Sequence, residues 1–119
     1  VTAFITEAEM AGLVAELVAA TPYYFGWGTG SGQAQGDTTL ASEAATPRVL
    51  SAASQATTNF ANDTARFTAT LTAETDLAIS EVGAFNFASG GFFAIYGDFD
   101  GINLAAGDAI TFQVNVVYA

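Results

Sequence analysis

The sequence predicts a mainly β domain with one N-terminal helix, built as an antiparallel β-sandwich or barrel of about six strands. Three observations carry this expectation. Apolar residues recur at helical spacing only once, within the first twenty positions. Beyond Pro22 they alternate in short runs separated by Gly, Asn, Asp and Ser. Of the 119 residues, 51% are hydrophobic and 13% aromatic, enough for a core without disulfides or metal. A single domain over 1–119 is expected, with an arm and helix over 1–21 and the β-region over 22–119.

Taken in order, Thr6 followed by Glu9 is a capping box, and Ile5 ahead of it is placed to staple onto Met10. Met10, Leu13, Val14, Leu17 and Val18 form one apolar stripe, so a helix is expected over 7–20. Thr21, ahead of Pro22, is pushed out of the helical region and ends it. Ala3 and Phe4 form a short arm able to dock on a neighbour. Residues 23–27 are a short aromatic strand, and 28–36 a glycine-rich loop. A strand of small residues follows over 48–56, and Asn62-Asp63 marks a turn. Over 66–72, Phe67, Ala69 and Leu71 point one way and Thr68, Thr70 and Thr72 the other. A turn over 74–76 leads into a long strand, 77–87, which Ser89-Gly90-Gly91 returns as a hairpin over 92–99. Residues 103–108 turn again. Ile110, Phe112, Val114, Val116 and Tyr118 then share one face of the last strand.

What the chain lacks is as informative. It has no cysteine and no histidine. Disulfides, thiolate chemistry, the usual zinc and transition-metal ligand sets and any triad built on His or Cys are therefore excluded. Twelve acids face two bases, both arginine, for a net charge of −10. A nucleic-acid backbone would repel such a chain, so no nucleic-acid partner is expected. The acidity and the missing lysine also suit a saline habitat, where salt screens self-repulsion. No apolar run reaches the length of a membrane-spanning helix, and Glu7, Glu9 and Glu16 without a positive charge are unlike a signal peptide. No membrane partner is expected.

Four patterns invite a chemical reading. The glycines of 26–32 resemble a phosphate loop, yet no Lys-Ser/Thr follows and the helix precedes them. Asp98-Phe99-Asp100-Gly101-Ile102-Asn103 resembles a calcium loop, but Tyr96 and Gly107 stand where the first ligand and the bidentate Glu belong. A solvated turn is the better reading. The acid pairs Glu74/Asp76 and Asp98/Asp100 also fall in expected turns, a poor place for the desolvated pair that glycoside hydrolysis needs. No catalytic residue, cofactor or metal site is assigned, and an enzyme is not expected. Glu81 is the exception among the acids. Counting by twos from Leu77 and Ile79 places it on the apolar face with Phe85 and Phe87, where a lone carboxylate is costly. Either a β-bulge at Val82-Gly83 turns it outward, or it forms a structural ion pair with an arginine, Arg48 ahead of Arg66. The rings of Phe85, Phe87, Phe92, Phe93, Tyr96 and Phe99 crowd one hairpin, more than one small sandwich can bury. Phe4, Phe92, Phe93, Tyr96 and Phe99 are thus candidate contacts with another subunit or a shell. A sugar-binding platform is the rival reading of the same rings.

Three signatures stand in register over 23–118: Gly28-Thr29-Gly30; Asp37-Thr38-x-Leu40-x-x-Glu43 running on to Arg48-Val49; and Glu81-Val82-Gly83-x-Phe85-Asn86 followed by Gly90-Gly91. Together they resemble small β-rich virion structural proteins of tailed bacterial and archaeal viruses. The resemblance implies a non-enzymatic role in the virion. The first expectation is a capsid decoration (cement) protein on the outer head shell, partnered by the major capsid protein or other virion proteins. A tail, baseplate or fibre component, or a host-surface glycan-binding module, are the alternatives. A homo-oligomer is expected, a trimer foremost, because surface lattices offer three-fold positions that closed rings match. The N-terminal helix and the acidity depart from the resembling proteins.

Overall fold

A computed structural model of the chain describes residues 1–20 and 22–118. The fold is mainly β, with one N-terminal helix and seven strands in two antiparallel sheets, an arrangement compatible with the expected sandwich. Helix α1 spans Glu7–Ala19, and the Thr6 hydroxyl caps it by accepting the Glu9 N–H at 3.2 Å. Val14 is fully buried, and Met10, Leu13, Leu17 and Val18 are half-buried along the same stripe. Ile5 keeps about half its surface exposed (51%). Ala20 already has extended backbone; the stop expected at Thr21 lies outside the described residues.

Strands β1 (Tyr24–Gly28), β2 (Val49–Leu50), β5 (Leu77–Phe85) and β6 (Phe93–Leu104) form one sheet in the order β2-β1-β5-β6. Strands β3 (Ala52–Ala56), β4 (Thr64–Thr72) and β7 (Ala109–Val117) form the other, in the order β3-β4-β7. The count exceeds the expected six because the stretch 48–56 breaks at Ser51. Both the N–H and the hydroxyl of Ser51 donate to the Tyr23 carbonyl, at 2.9 and 2.8 Å. The chain thereby leaves the partner of β1 and begins the partner of β4.

The alternations expected for β4 and β7 are present. Ala65, Phe67, Ala69 and Leu71 are buried, while Ile110, Phe112, Val114 and Val116 form the less exposed face of β7. Strand β6 differs from expectation, since it runs through the acidic stretch read as a turn. Ile79 pairs with Ile102 and Glu81 with Asp98, so Phe99, Asp100 and Gly101 lie opposite Ser80 alone. The surplus forms a bulge, and the 98–103 segment stays in the ladder.

The chain falls into two compact units, each discontinuous in sequence. One gathers 1–21, 52–68 and 113–119, with Val14, Ala65 and Phe67 buried. The other gathers 22–51 and 69–112 and buries Phe25, Trp27, Leu40, Leu71, Ile79 and Phe85.

Candidate functional site

The three sequence signatures meet in the second unit around one carboxylate. Glu81 sits on β5, the strand flanked by β1 and β6, and is fully buried. Its Oε2 accepts the N–H groups of Gly30 at 3.1 Å and Ser42 at 2.8 Å; its Oε1 accepts that of Ala41 at 3.0 Å. Charge-assisted bonds of this kind stand in for the water that burial removes. The carboxylate also explains the glycines beside it. A Cβ on Gly28 would collide with Glu81 Oε2 and the Ser42 carbonyl, and one on Gly30 with Ala41. Neighbouring residues complete the anchoring of the long loop. Ser80 donates its hydroxyl to the Gly30 carbonyl at 2.6 Å, and Asp98 accepts the Gly32 N–H at 3.1 Å.

The expected Glu81–Arg48 pair is therefore corrected. Glu81 is buried, as counting by twos indicated, but its partners are loop N–H groups some forty to fifty residues upstream. No bulge at Val82-Gly83 turns it outward, since Val82 and Gly83 stay in register with Gly97 and Tyr96. Arg48 has different partners. Its Nε and Nη2 clasp the two oxygens of Glu43 at 2.8 and 2.9 Å, and its Nη1 donates to the carbonyls of Phe87 and Gly90 at 3.0 and 2.9 Å. The guanidinium carbon lies 3.5 Å from the centroid of the Phe85 ring. A planar fork over an aromatic face is the geometry that suits arginine and not lysine. Arg66 donates its Nε to Asn115 Oδ1 at 3.0 Å.

Arg48 thus holds the tip of the β5–β6 hairpin. Within the tip, Asn86 Oδ1 accepts the Phe92 N–H at 2.7 Å. Gly91 has φ +72°, and a Cβ there would overlap that same Asn86 oxygen, so only glycine fits.

The candidate contact residues divide. Phe4 is 88% exposed and Phe92 57%, as is Phe87 on the same tip. Phe93, Tyr96 and Phe99 are half-buried on rings of their own chain. Phe93 stacks on Phe85 with centroids 5.0 Å apart, Tyr96 meets Phe93 edge-on at 5.7 Å, and Phe99 lies 6.0 Å from Phe112. Burial, together with the negative charges of Asp98 and Glu81, pushes the Tyr96 phenol above its ordinary pKa. Phe93 and Tyr96 also line a cleft of about 390 Å³ with Gln33 and Asp37. The polar groups there serve the loop itself: Gln33 Nε2 donates to the Thr39 carbonyl at 2.7 Å, and Asp37 accepts the Ala34 N–H at 2.7 Å.

Two of the acids weighed for metal or hydrolysis, Asp98 and Asp76, have structural partners as well. Asp98 bonds Gly32 and accepts the Tyr96 hydroxyl at 3.4 Å, and Asp76 accepts the Ala106 N–H at 3.0 Å. No group of three or more acids that could hold a metal ion is found among the described residues.

Sequence reasoning missed Asp63, in the first unit. It is fully buried and accepts the N–H groups of Thr58, Asn59 and Phe60 at 2.8, 2.8 and 3.1 Å, and the Thr64 hydroxyl at 2.8 Å. Burial raises its pKa, but these donors outweigh that and hold the carboxyl well below the usual range. Asn62, just before it, adopts φ +59°. The Asn-Asp pair was the available signal, since both residue types favour such turns.

No helix among the described residues is long and apolar enough to cross a membrane. No family model matches the chain, and no curated protein matches it.

Proposed function

We propose that this protein is a non-enzymatic structural component of a tailed-virus particle, and first a decoration protein on the outer head shell. One observation carries the reading. The charged residues of the signatures and Asn86 bond the chain's own backbone or each other, and two of them, Arg48 and Asn86, brace a hairpin tip that presents Phe87 and Phe92 to solvent. A braced loop with apolar rings at its end suits docking on a fixed surface, since little ordering entropy remains to be lost on contact. The partner is then the major capsid protein or another virion protein, the location is the virion, and self-association into a trimer fits three-fold lattice positions.

Imaging of labelled particles tests this. Copies spread by the hundred over the head support decoration. A handful at one vertex moves the protein to the tail, baseplate or fibre, and absence from purified particles overturns the virion assignment. The glycan-binding reading rests on the cleft beside Phe93 and Tyr96. Retention on a panel of host-surface glycans, lost in Tyr96→Ala, would favour it instead.

A further inference from the structure

An aspartate closes a ring on its own backbone most readily where glycine follows it, where its carboxylate has no competing bond, and where no regular ladder holds the chain straight. Asp100 meets all three conditions. Asp100-Gly101 is the one Asp-Gly step in the chain, and there is no Asn-Gly step. The residue after every other aspartate carries a Cβ, and after Asp37 and Asp63 it is a branched threonine that shields the amide.

The carboxylates divide in the same way. Those of Asp37, Asp63, Asp76, Asp98 and Asp108 each accept a backbone N–H. That of Asp100 is exposed and has no hydrogen bond or ion pair among the described residues. Phe99, Asp100 and Gly101 lie opposite Ser80 alone, so neither Asp100 nor Gly101 has a register partner on β5. A Cβ built on Gly101 would meet nothing within 4 Å, which leaves its amide open to approach. The bulge that keeps this acidic stretch in the sheet thus leaves the Asp-Gly step free to turn.

We propose that Asp100 is a site of spontaneous isoaspartate formation in the folded protein. The Gly101 nitrogen attacks Asp100 Cγ; a bond forms between them, the carboxyl loses its hydroxyl, the amide loses its proton, and water leaves. Water then opens the resulting succinimide at either carbonyl. Breaking the new N–Cγ bond restores aspartate. Breaking the original peptide C–N bond leaves the chain running through Cβ and Cγ, with an α-carboxylate as the side group. One water is lost and one regained, so mass is unchanged and no other reactant is needed. The main chain gains one methylene inside the bulge, between the pairs Ile79–Ile102 and Glu81–Asp98, whose register is kept. The new α-carboxylate is the group that isoaspartyl methyltransferases methylate. The reaction needs only the folded chain and is independent of the virion assignment.

Purified protein aged at physiological temperature and mildly acidic pH tests this. An isoaspartyl methyltransferase with labelled S-adenosylmethionine counts the sites. Digestion of the denatured chain by a protease that cuts before aspartate, and not before isoaspartate, places them. Wild-type protein gains label with time at Asp100 alone, with an unchanged circular dichroism spectrum. Asp100→Glu, which would need a larger ring, gains none. Gly101→Ala, whose added methyl has room, gains it several-fold more slowly. Absence of label in the aged folded protein overturns the proposal, and so does label at another aspartate or an unchanged rate in Gly101→Ala. Label that forms only in urea-unfolded protein overturns it too, because the bulge then holds the step as firmly as a regular strand would.

Discussion

Replacing Glu81 by alanine leaves the N–H groups of Gly30, Ala41 and Ser42 without their acceptor and empties a buried position. The expected loss is about 3 kcal/mol or more, since bonds to a charged acceptor are worth about 1.5–3 kcal/mol each and do not add fully. Glu81→Gln keeps one oxygen and loses less. Glu74→Ala, at an exposed position, changes stability by about 0.5 kcal/mol at most. Urea unfolding of the three variants measures the ranking, and equal midpoints would refute the buried-anchor assignment. Arg48→Ala removes the clasp on Glu43, two carbonyl bonds and the contact with Phe85, for an expected loss of about 2–3 kcal/mol. Arg48→Lys should recover little, because an ammonium cannot reproduce the fork or the stacking. Full rescue by lysine would show that charge alone matters there.

At the scale of elements, Asp63 gives the 57–64 turn a pH dependence whose sign follows from its lowered pKa. The folded chain holds this carboxyl ionised below the unfolded value of about 3.9. Its contribution is therefore complete above that value and is lost as pH falls below it. Asp63→Asn should be less stable than the wild type at pH 7, with the gap narrowing below about pH 4. Denaturant midpoints for both proteins across that range check it, and a constant gap would contradict the ionised assignment.

How far the elements were legible varies with the reach of their determinants. The helix and the alternations of β4 and β7 could be read because local periodicity sets them. The break at Ser51 could not, because its cause is the carbonyl of Tyr23, far away in sequence. Asp98-Phe99-Asp100-Gly101 has turn composition, yet pairing with the long β5 keeps it in the sheet as a bulge. Glu81 shows the same division within one residue. Its burial followed from counting along its own strand. Its partners did not, because backbone N–H groups leave no mark in a sequence, whereas an arginine does.

For the whole molecule, twelve acids against two arginines make self-repulsion the main electrostatic force between copies. Salt shortens its reach from about 10 Å at 0.1 M to about 3 Å at 1 M. Association through the exposed rings of Phe4, Phe87 and Phe92 should strengthen as salt rises, because apolar burial is not weakened by screening. In the proposed decoration role, the protein is expected to stay on the particle in molar salt and to leave on dilution. Occupancy measured across a salt series checks this. Release at high salt with retention at low salt would indicate ion pairing with a basic surface instead.

The near absence of cations also makes the fold its own reporter. Trypsin cuts after lysine or arginine, and this chain offers it only Arg48 and Arg66. Neither is presented as a free loop: the Arg48 side chain is 9% exposed and clasped by Glu43, and Arg66 lies within β4, paired to β3 and bonded to Asn115. Cleavage at either bond must wait for its segment to open, so the digestion rate follows the population of the opened state. Wild-type protein should persist, while Glu81→Ala should be cut first at Arg48–Val49, because its lost anchor ties down the loop leading there. Fragment masses over a digestion time course distinguish the two sites. Prompt cutting of the wild type at Arg48 would mean that the clasp is open in solution.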